Sequence, residues 1–125
     1  MSTILLVEDE ELNRTLVKAV LSRSAEPSVR SAAVVDATSL AAARERLADD
    51  DIDLILLDMN LPDGNGLTLA RELSSRSPRP TVVAVTASVL PQDRVAAIEA
   101  GCDDFLDKPY AAADLVAVVS RHLTS

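Results

Sequence analysis

Asp53-Leu54-Ile55-Leu56-Leu57-Asp58, running straight into Met59-Asn60-Leu61-Pro62-Asp63-Gly64-Asn65-Gly66, is the stretch that decides the fold. Its aliphatic residues are apolar on both faces of an extended chain. That is the pattern of a central strand covered by helices on either side. The run then breaks into Pro, Gly, Asn and Asp, each a turn former for its own steric or hydrogen-bonding reason. Asp58 is thereby placed at the C-terminal lip of a buried strand. Alone, such an Asp is most simply a turn residue; the neighbouring strands decide its meaning.

Working outward, the same alternation recurs. Ile4–Val7 reads as a first strand ending on Glu8-Asp9, and from Glu10 the period turns helical, with Leu12, Leu16, Val17, Val20 and Leu21 as the apolar stripe. Glu10 and Glu11 suit the positive end of that helix. Ala25–Ser28 is a connection, and a weaker strand near Val29–Val35 reads as a sheet edge. Thr38 or Ser39 can cap a second helix with Leu40, Ala43 and Leu47 inward. Strand three is Ile52–Leu57. Leu67, Ala70 and Leu73 mark a third helix, closed by Ser77-Pro78-Arg79-Pro80. Thr81–Val85 is strand four, ending at Thr86-Ala87-Ser88. Pro91 suits the first turn of a fourth helix with Val95 and Ile98 inward and Gly101 as a left-handed C-cap. Asp103–Leu106 is strand five. Lys108-Pro109-Tyr110 then leads to a last helix with Leu115, Val116, Val119 and Leu123 apolar.

Strict alternation of strand and helix gives parallel strands with right-handed crossovers. The expected fold is a three-layer, doubly wound five-stranded parallel α/β sheet with five helices. A length of 125 residues suits one domain over 1–125, large enough for a core. Met1 and the short tail read as a complete chain. With no Trp, one Phe and one Tyr, that core must be aliphatic. The net charge of -8 argues against binding nucleic acid by neutralising phosphates. The single Cys102 cannot form an internal disulfide and reads as a small buried hydrophobe in a reducing compartment. No leader or membrane-length apolar run is visible, so a soluble, cytoplasmic protein is expected.

In an open α/β sheet, ligands bind beyond the carboxyl ends of the strands, where strand order reverses. Glu8 and Asp9 finish strand one, Asp58 strand three and Thr86 strand four, and Lys108 follows strand five. Carboxylates crowded to about 4 Å repel by on the order of 4 kcal/mol at an effective dielectric near 20. A raised pKa or a bound cation must relieve that. Oxygen donors without His or Cys point to a hard ion such as Mg2+. Lys108 and Thr86 add the positive charge and the hydroxyl that developing phosphoryl charge calls for. The combination reads as a phosphoryl-transfer site without a nucleotide-binding loop.

The segments ILLVEDE, LILLDMNLPDGNG, VVAVTAS and GCDDFLDKPY together resemble the response-regulator receiver domain of two-component signalling, along the whole chain. The resemblance implies a flavodoxin-like strand order 2-1-3-4-5. It implies that Asp58 takes a phosphoryl group from the phosphohistidine of a sensor histidine kinase or a histidine phosphotransfer protein, without the chain being a turnover enzyme. Asp9 and Asp58 would ligate Mg2+ directly, Asn60 through its backbone carbonyl and Glu8 through water. Lys108 would pair with the phosphoryl group, Thr86 would swing to hydrogen-bond it, and Lys108–Pro109 would be cis. Asn60 and Ser88 would tune hydrolysis. Phe105 stands where the family keeps its switch aromatic, often Tyr. Lacking a hydroxyl, it would have to be moved by packing. Tyr110 would pack beside the site or join a docking surface.

Output to an unidentified downstream protein would use the fourth helix, strand five and the last helix, including Val89, Leu90 and Phe105. Donor docking would use Leu12, Asn13 and Leu16. His122 reads as a surface residue whose charge suits a helix C-terminus. Three rival readings meet specific obstacles in the sequence. A haloacid-dehalogenase-like phosphatase needs a second Asp where Asn60 stands. A flavodoxin-like cofactor binder needs a phosphate-cradling loop where Glu8-Asp9-Glu10-Glu11 would repel phosphate. A phosphorylation-independent scaffold receiver would normally have lost part of the set that is intact here.

Overall fold

The computed structural model describes residues 2–49, 51–76, 79–87 and 90–123. Expectations placed on Ser77, Pro78, Ser88 and Val89 lie outside the described residues. In chain order the elements are β1 (Thr3–Val7), α1 (Glu11–Ser22), α2 (Pro27–Arg30), β2 (Ala33–Ala37), α3 (Leu40–Asp49) and β3 (Leu54–Asp58). A short ribbon follows, β4 (Asn60–Leu61) with β5 (Gly64–Asn65). Then come α4 (Gly66–Ser74), β6 (Thr81–Thr86), α5 (Pro91–Ala100), β7 (Asp104–Asp107) and α6 (Ala112–His122).

Five strands form one sheet in the order β2-β1-β3-β6-β7, every pair parallel, with β2 at an edge as its weaker apolarity implied. Counting sheet strands alone, this is the doubly wound order 2-1-3-4-5. Alternate residues feed two cores. Leu5, Val7, Ile55, Leu57, Val82 and Ala84 face α3, α4 and α5. Ile4, Leu6, Leu54, Leu56, Val83 and Val85 face α1 and α6. β3 is buried along its whole length, as a strand covered on both faces requires.

The structure corrects four expectations. There are six helices among the described residues, because the connection after α1 holds the one-turn α2, begun by Pro27. Val29, expected in strand two, is buried within α2, and the edge strand begins only at Ala33. On α1 the apolar stripe is wider than the buried one: Val17 and Leu21 are buried, whereas Leu12 and Leu16 are exposed. On α5, Val95 and Ile98 face solvent, and the helix meets the sheet through Ala97 and Ala100. Close approach of α4 and α5 explains this choice. A Cβ on Gly101 would stand 2.9 Å from the Ser74 side chain, so only small residues fit that face. Gly101 itself closes α5 in the left-handed conformation expected of it.

Candidate functional site

The order reverses between β1 and β3, whose paired ends Val7 and Leu57 put the following residues, Glu8 and Asp58, side by side. Both carboxylates are buried, while Asp9 is exposed at the rim. One oxygen from each of Glu8, Asp9 and Asp58 lies within 4.8 Å of the other two. From the end of β7, Lys108 reaches in, with its Nζ 3.0 Å from Asp58 Oδ2 and 3.4 Å from Glu8 Oε2. Thr86 is the last residue of β6, two strands from Glu8, and its carbonyl accepts the Lys108 N–H at 2.8 Å. The Lys108–Pro109 peptide is cis, as expected.

The crowding of carboxylates is relieved in two ways. Burial first, and then the Asp58 charge, raise the pKa of Glu8 above the ordinary glutamate value. Burial pulls Lys108 down, but its bonds and charges toward Asp58 and Glu8 outweigh that and hold it above the ordinary lysine value. The remaining acceptors are occupied locally. Asp58 Oδ1 accepts the Asn60 N–H at 3.0 Å, and Glu8 Oε1 accepts the Glu10 N–H at 3.2 Å and Asn13 Nδ2–H at 3.4 Å. Arg14 donates to the Glu8 carbonyl at 3.0 Å and so fixes the strand end.

Local sequence sets the loop that carries Asp58. Asn65 accepts the Leu67 N–H and caps α4, which brings Gly66 against the strand. A Cβ at Gly66 would stand 2.6 Å from the Asp58 carbonyl oxygen, so the close approach of α4 to the acceptor residue requires glycine. Asp63 reaches across to α3 and accepts the N–H groups of Leu40 and Ala41 at 2.9 and 3.1 Å, beside the expected Ser39 cap on Ala42. Sequence reading missed Asp63 because its partners lie more than twenty positions away. Arg14 is a polar residue on a helix, and nothing local in sequence marks its reach to the Glu8 carbonyl six residues back.

Phe105 sits half-buried on β7, and Arg94 of α5 lies over its ring at 5.2 Å from the centroid. Tyr110 is half-buried beside Lys108, and together with Asn13, Leu16 and Pro109 it lines a cavity of 500 Å3 between α1 and α6 that reaches the site at Lys108. Cys102 is buried, and its thiol is pushed up to about 11 by that burial, which keeps it unreactive. His122 is not a plain surface residue. It is half-buried, with Nε2 2.9 Å from Asp104 Oδ2.

The donor set fits a hard divalent cation: carboxylate oxygens only, two of them buried, and one at the solvent rim where waters can complete a shell. Fold and site together define a doubly wound α/β domain with an acidic, oxygen-donor centre at its switch point. A family model for the response regulator receiver domain matches residues 4–120, and the chain belongs to that family, whose members serve two-component systems. Over 121 residues it is 40% identical to the aerobic respiration control sensor protein ArcB of Escherichia coli strain K12, covering 94% of this chain and 15% of that protein. It is 34% identical over 117 residues to the KDP operon transcriptional regulatory protein KdpE of the same strain, covering 94% and 49%. The receiver domain of NtrX from Brucella abortus superposes with a TM-score of 0.81 at 31% identity, over 98% of this chain and 99% of that one. The chain thus spans half or less of the length of these curated relatives. Among the described residues no helix is long and apolar enough to cross a membrane.

Proposed function

We propose that this receiver domain is a phosphorylation-controlled switch in which Asp58 is the phosphoacceptor. The observation that carries the reading is the Lys108 ammonium, 3.0 Å from the carboxylate of a buried strand-end Asp that has two further carboxylates beside it. Asp58 attacks the phosphorus of a phosphohistidine. A P–O bond forms, the P–N bond breaks, and its electron pair returns to the imidazole of a sensor histidine kinase or histidine phosphotransfer protein. Lys108 balances the charge gathering on the phosphoryl oxygens. Asp9 and Asp58 directly, Glu8 through water and Asn60 through its carbonyl would hold Mg2+. When bound, that ion supplies charge neutralisation for the transferring group.

Thr86 then turns its hydroxyl to the new phosphoryl group, and Phe105 repacks with it. The domain is a self-phosphorylating substrate with slow autodephosphorylation rather than a turnover enzyme. It acts in the cytoplasm through protein contacts made by α5, β7 and α6. The exposed Leu12 and Leu16, with Asn13 at the mouth of the site, support donor docking on α1. A net charge of -8 supports partners other than nucleic acid.

The test uses acetyl phosphate and Mg2+, with intact mass as the readout. One phosphoryl adduct, lost on mild alkaline treatment and absent from Asp58→Asn, is the expected result. An adduct that persists in Asp58→Asn moves the acceptor elsewhere. The absence of any adduct leaves a phosphorylation-independent scaffold as the better reading.

A further inference from the structure

Beside the acidic centre lies a second feature that the phosphoacceptor reading leaves unused. In the parallel register of β6 and β7, Ala84 faces Phe105 and Thr86 faces Asp107. Phe105 and Asp107, two residues apart, therefore share the sheet face that α5 covers. A pocket of 190 Å3 opens there, lined among others by Asn60, Ala84, Thr86, Arg94, Ala97 and Phe105. Its size compares with the roughly 150 Å3 that suffices for benzene in an engineered apolar cavity. The Phe105 ring thus stands at the wall of a space that could take it, and Thr86 lines the same space.

Arg94 holds that wall. Its guanidinium lies over the Phe105 ring, 5.2 Å from the centroid, and its Nη2 is 2.5 Å from Asp107 Oδ2. The other Asp107 oxygen is buried with no partner among the described residues, so the carboxylate is tied on one side only. A phenyl ring has no hydroxyl through which a hydrogen bond could fix its position. A cation over its face is the directional contact that remains.

We propose that Arg94 is a positioning residue that latches Phe105 at the pocket wall, with Asp107 as the anchor of the latch, and that the ring enters the pocket as this contact gives way. The inference rests on the reading of Asp58 as phosphoacceptor and Thr86 as its reporter. It adds a named restraint on the unphosphorylated state, whose strength sets how far the two ring positions are separated in population.

Phe105 is the chain's only phenylalanine, so fluorophenylalanine labelling of the full chain gives one fluorine resonance. Beryllofluoride with Mg2+ serves as the phosphoryl probe. It should move the wild-type resonance toward a second position. Arg94→Met, which keeps an apolar stem, should raise the share of that second position without beryllofluoride by roughly two- to five-fold, the range expected for one lost cation–π contact. Asp107→Asn should act in the same direction. Arg94→Lys keeps the charge but loses the planar fork, and should fall between. A lower melting temperature with an unchanged fluorine spectrum in both Arg94→Met and Asp107→Asn would mean plain packing and overturn the latch. A wild-type resonance that beryllofluoride leaves in place would instead overturn the switching role of Phe105, whatever Arg94→Met does.

Discussion

The Lys108 ammonium bridges two buried carboxylates, 3.0 Å from Asp58 Oδ2 and 3.4 Å from Glu8 Oε2. It does part of what a divalent cation would do, compensating charge that burial makes costly. Removing it as Lys108→Met leaves Asp58 and Glu8 facing each other uncompensated. The variant should lose roughly 1–3 kcal/mol of stability, below the cost of breaking a fully buried pair because Lys108 is partly exposed. Mg2+ should then stabilise it more than it stabilises the wild type, by mass action on the folded state. Thermal melts across a Mg2+ titration check this. Equal Mg2+ responses would mean that the lysine and the ion do not share a site.

Gly66→Ala tests how closely α4 must approach the acceptor strand. The added methyl would meet the Asp58 carbonyl at 2.6 Å and the Met59 side chain at 2.9 Å. Backbone cannot yield as a side-chain tip does, so the helix must retreat. The expected cost is about 1–3 kcal/mol, the usual penalty for overpacking. The initial rate of phosphorylation by acetyl phosphate should fall as well, because the retreat displaces Asp58. A melting temperature and rate both equal to wild type would contradict the close packing.

Much of this was legible in the sequence because the determining contacts are short in range or repeat. The all-apolar run Leu54–Leu57 read as a central strand because only a doubly covered strand tolerates it. Glu8, Asp58, Thr86 and Lys108 lie along one edge, as their places at strand ends imply, because a parallel sheet gathers its strand ends there. What escaped was set by neighbours distant in sequence. Asp63 looks like any turn Asp until α3 arrives to be capped. Arg94 looks like a solvated helix charge until β7 brings Phe105 and Asp107 beneath it. The inward face of α5 differs from the expected Val95 and Ile98 because a helix pressed close to its neighbours is buried through its alanines, not its bulkiest residues.

Asp103 gives a pH dependence away from the site. Burial raises its pKa, but the Arg79 fork, with contacts of 2.9 and 2.7 Å, and the Val82 N–H at 2.9 Å outweigh that and hold it below the ordinary value. A depressed folded pKa means that the unfolded chain takes up the proton first as pH falls. The stability is therefore present above the ordinary carboxylate range, near pH 4, and is lost as pH drops through the folded value. Asp103→Asn should cost about 1 kcal/mol at pH 7, a few degrees in Tm, and the gap from wild type should close toward pH 3. Since Asp103 precedes β7 at the end of the sheet opposite Asp58, phosphorylation should be unaffected. A gap constant with pH would contradict the ion pair.

The two faces of α5 make opposite demands on substitution, and the pair of them tests its orientation. Val95 and Ile98 are each more than half exposed, while Ala97 is 4% exposed against the core that includes Ala84 and Leu73. Ile98→Ser and Val95→Ser should change stability by no more than about 0.5 kcal/mol, as for surface positions without partners. Ala97→Leu should cost about 1–3 kcal/mol, since extra methylenes have nowhere to go between helix and sheet. If hydrophobic bulk decided the inward face, the order would reverse. Ile98→Ser would then lose the transfer energy of a buried aliphatic side chain, and Ala97→Leu would be tolerated. Melting curves of the three variants separate the two arrangements. The same variants bear on output. An exposed Val95 and Ile98 that contribute nothing to stability are free to serve a contact surface, so loss of partner binding in Ile98→Ser at unchanged Tm and unchanged phosphorylation would assign that surface to α5.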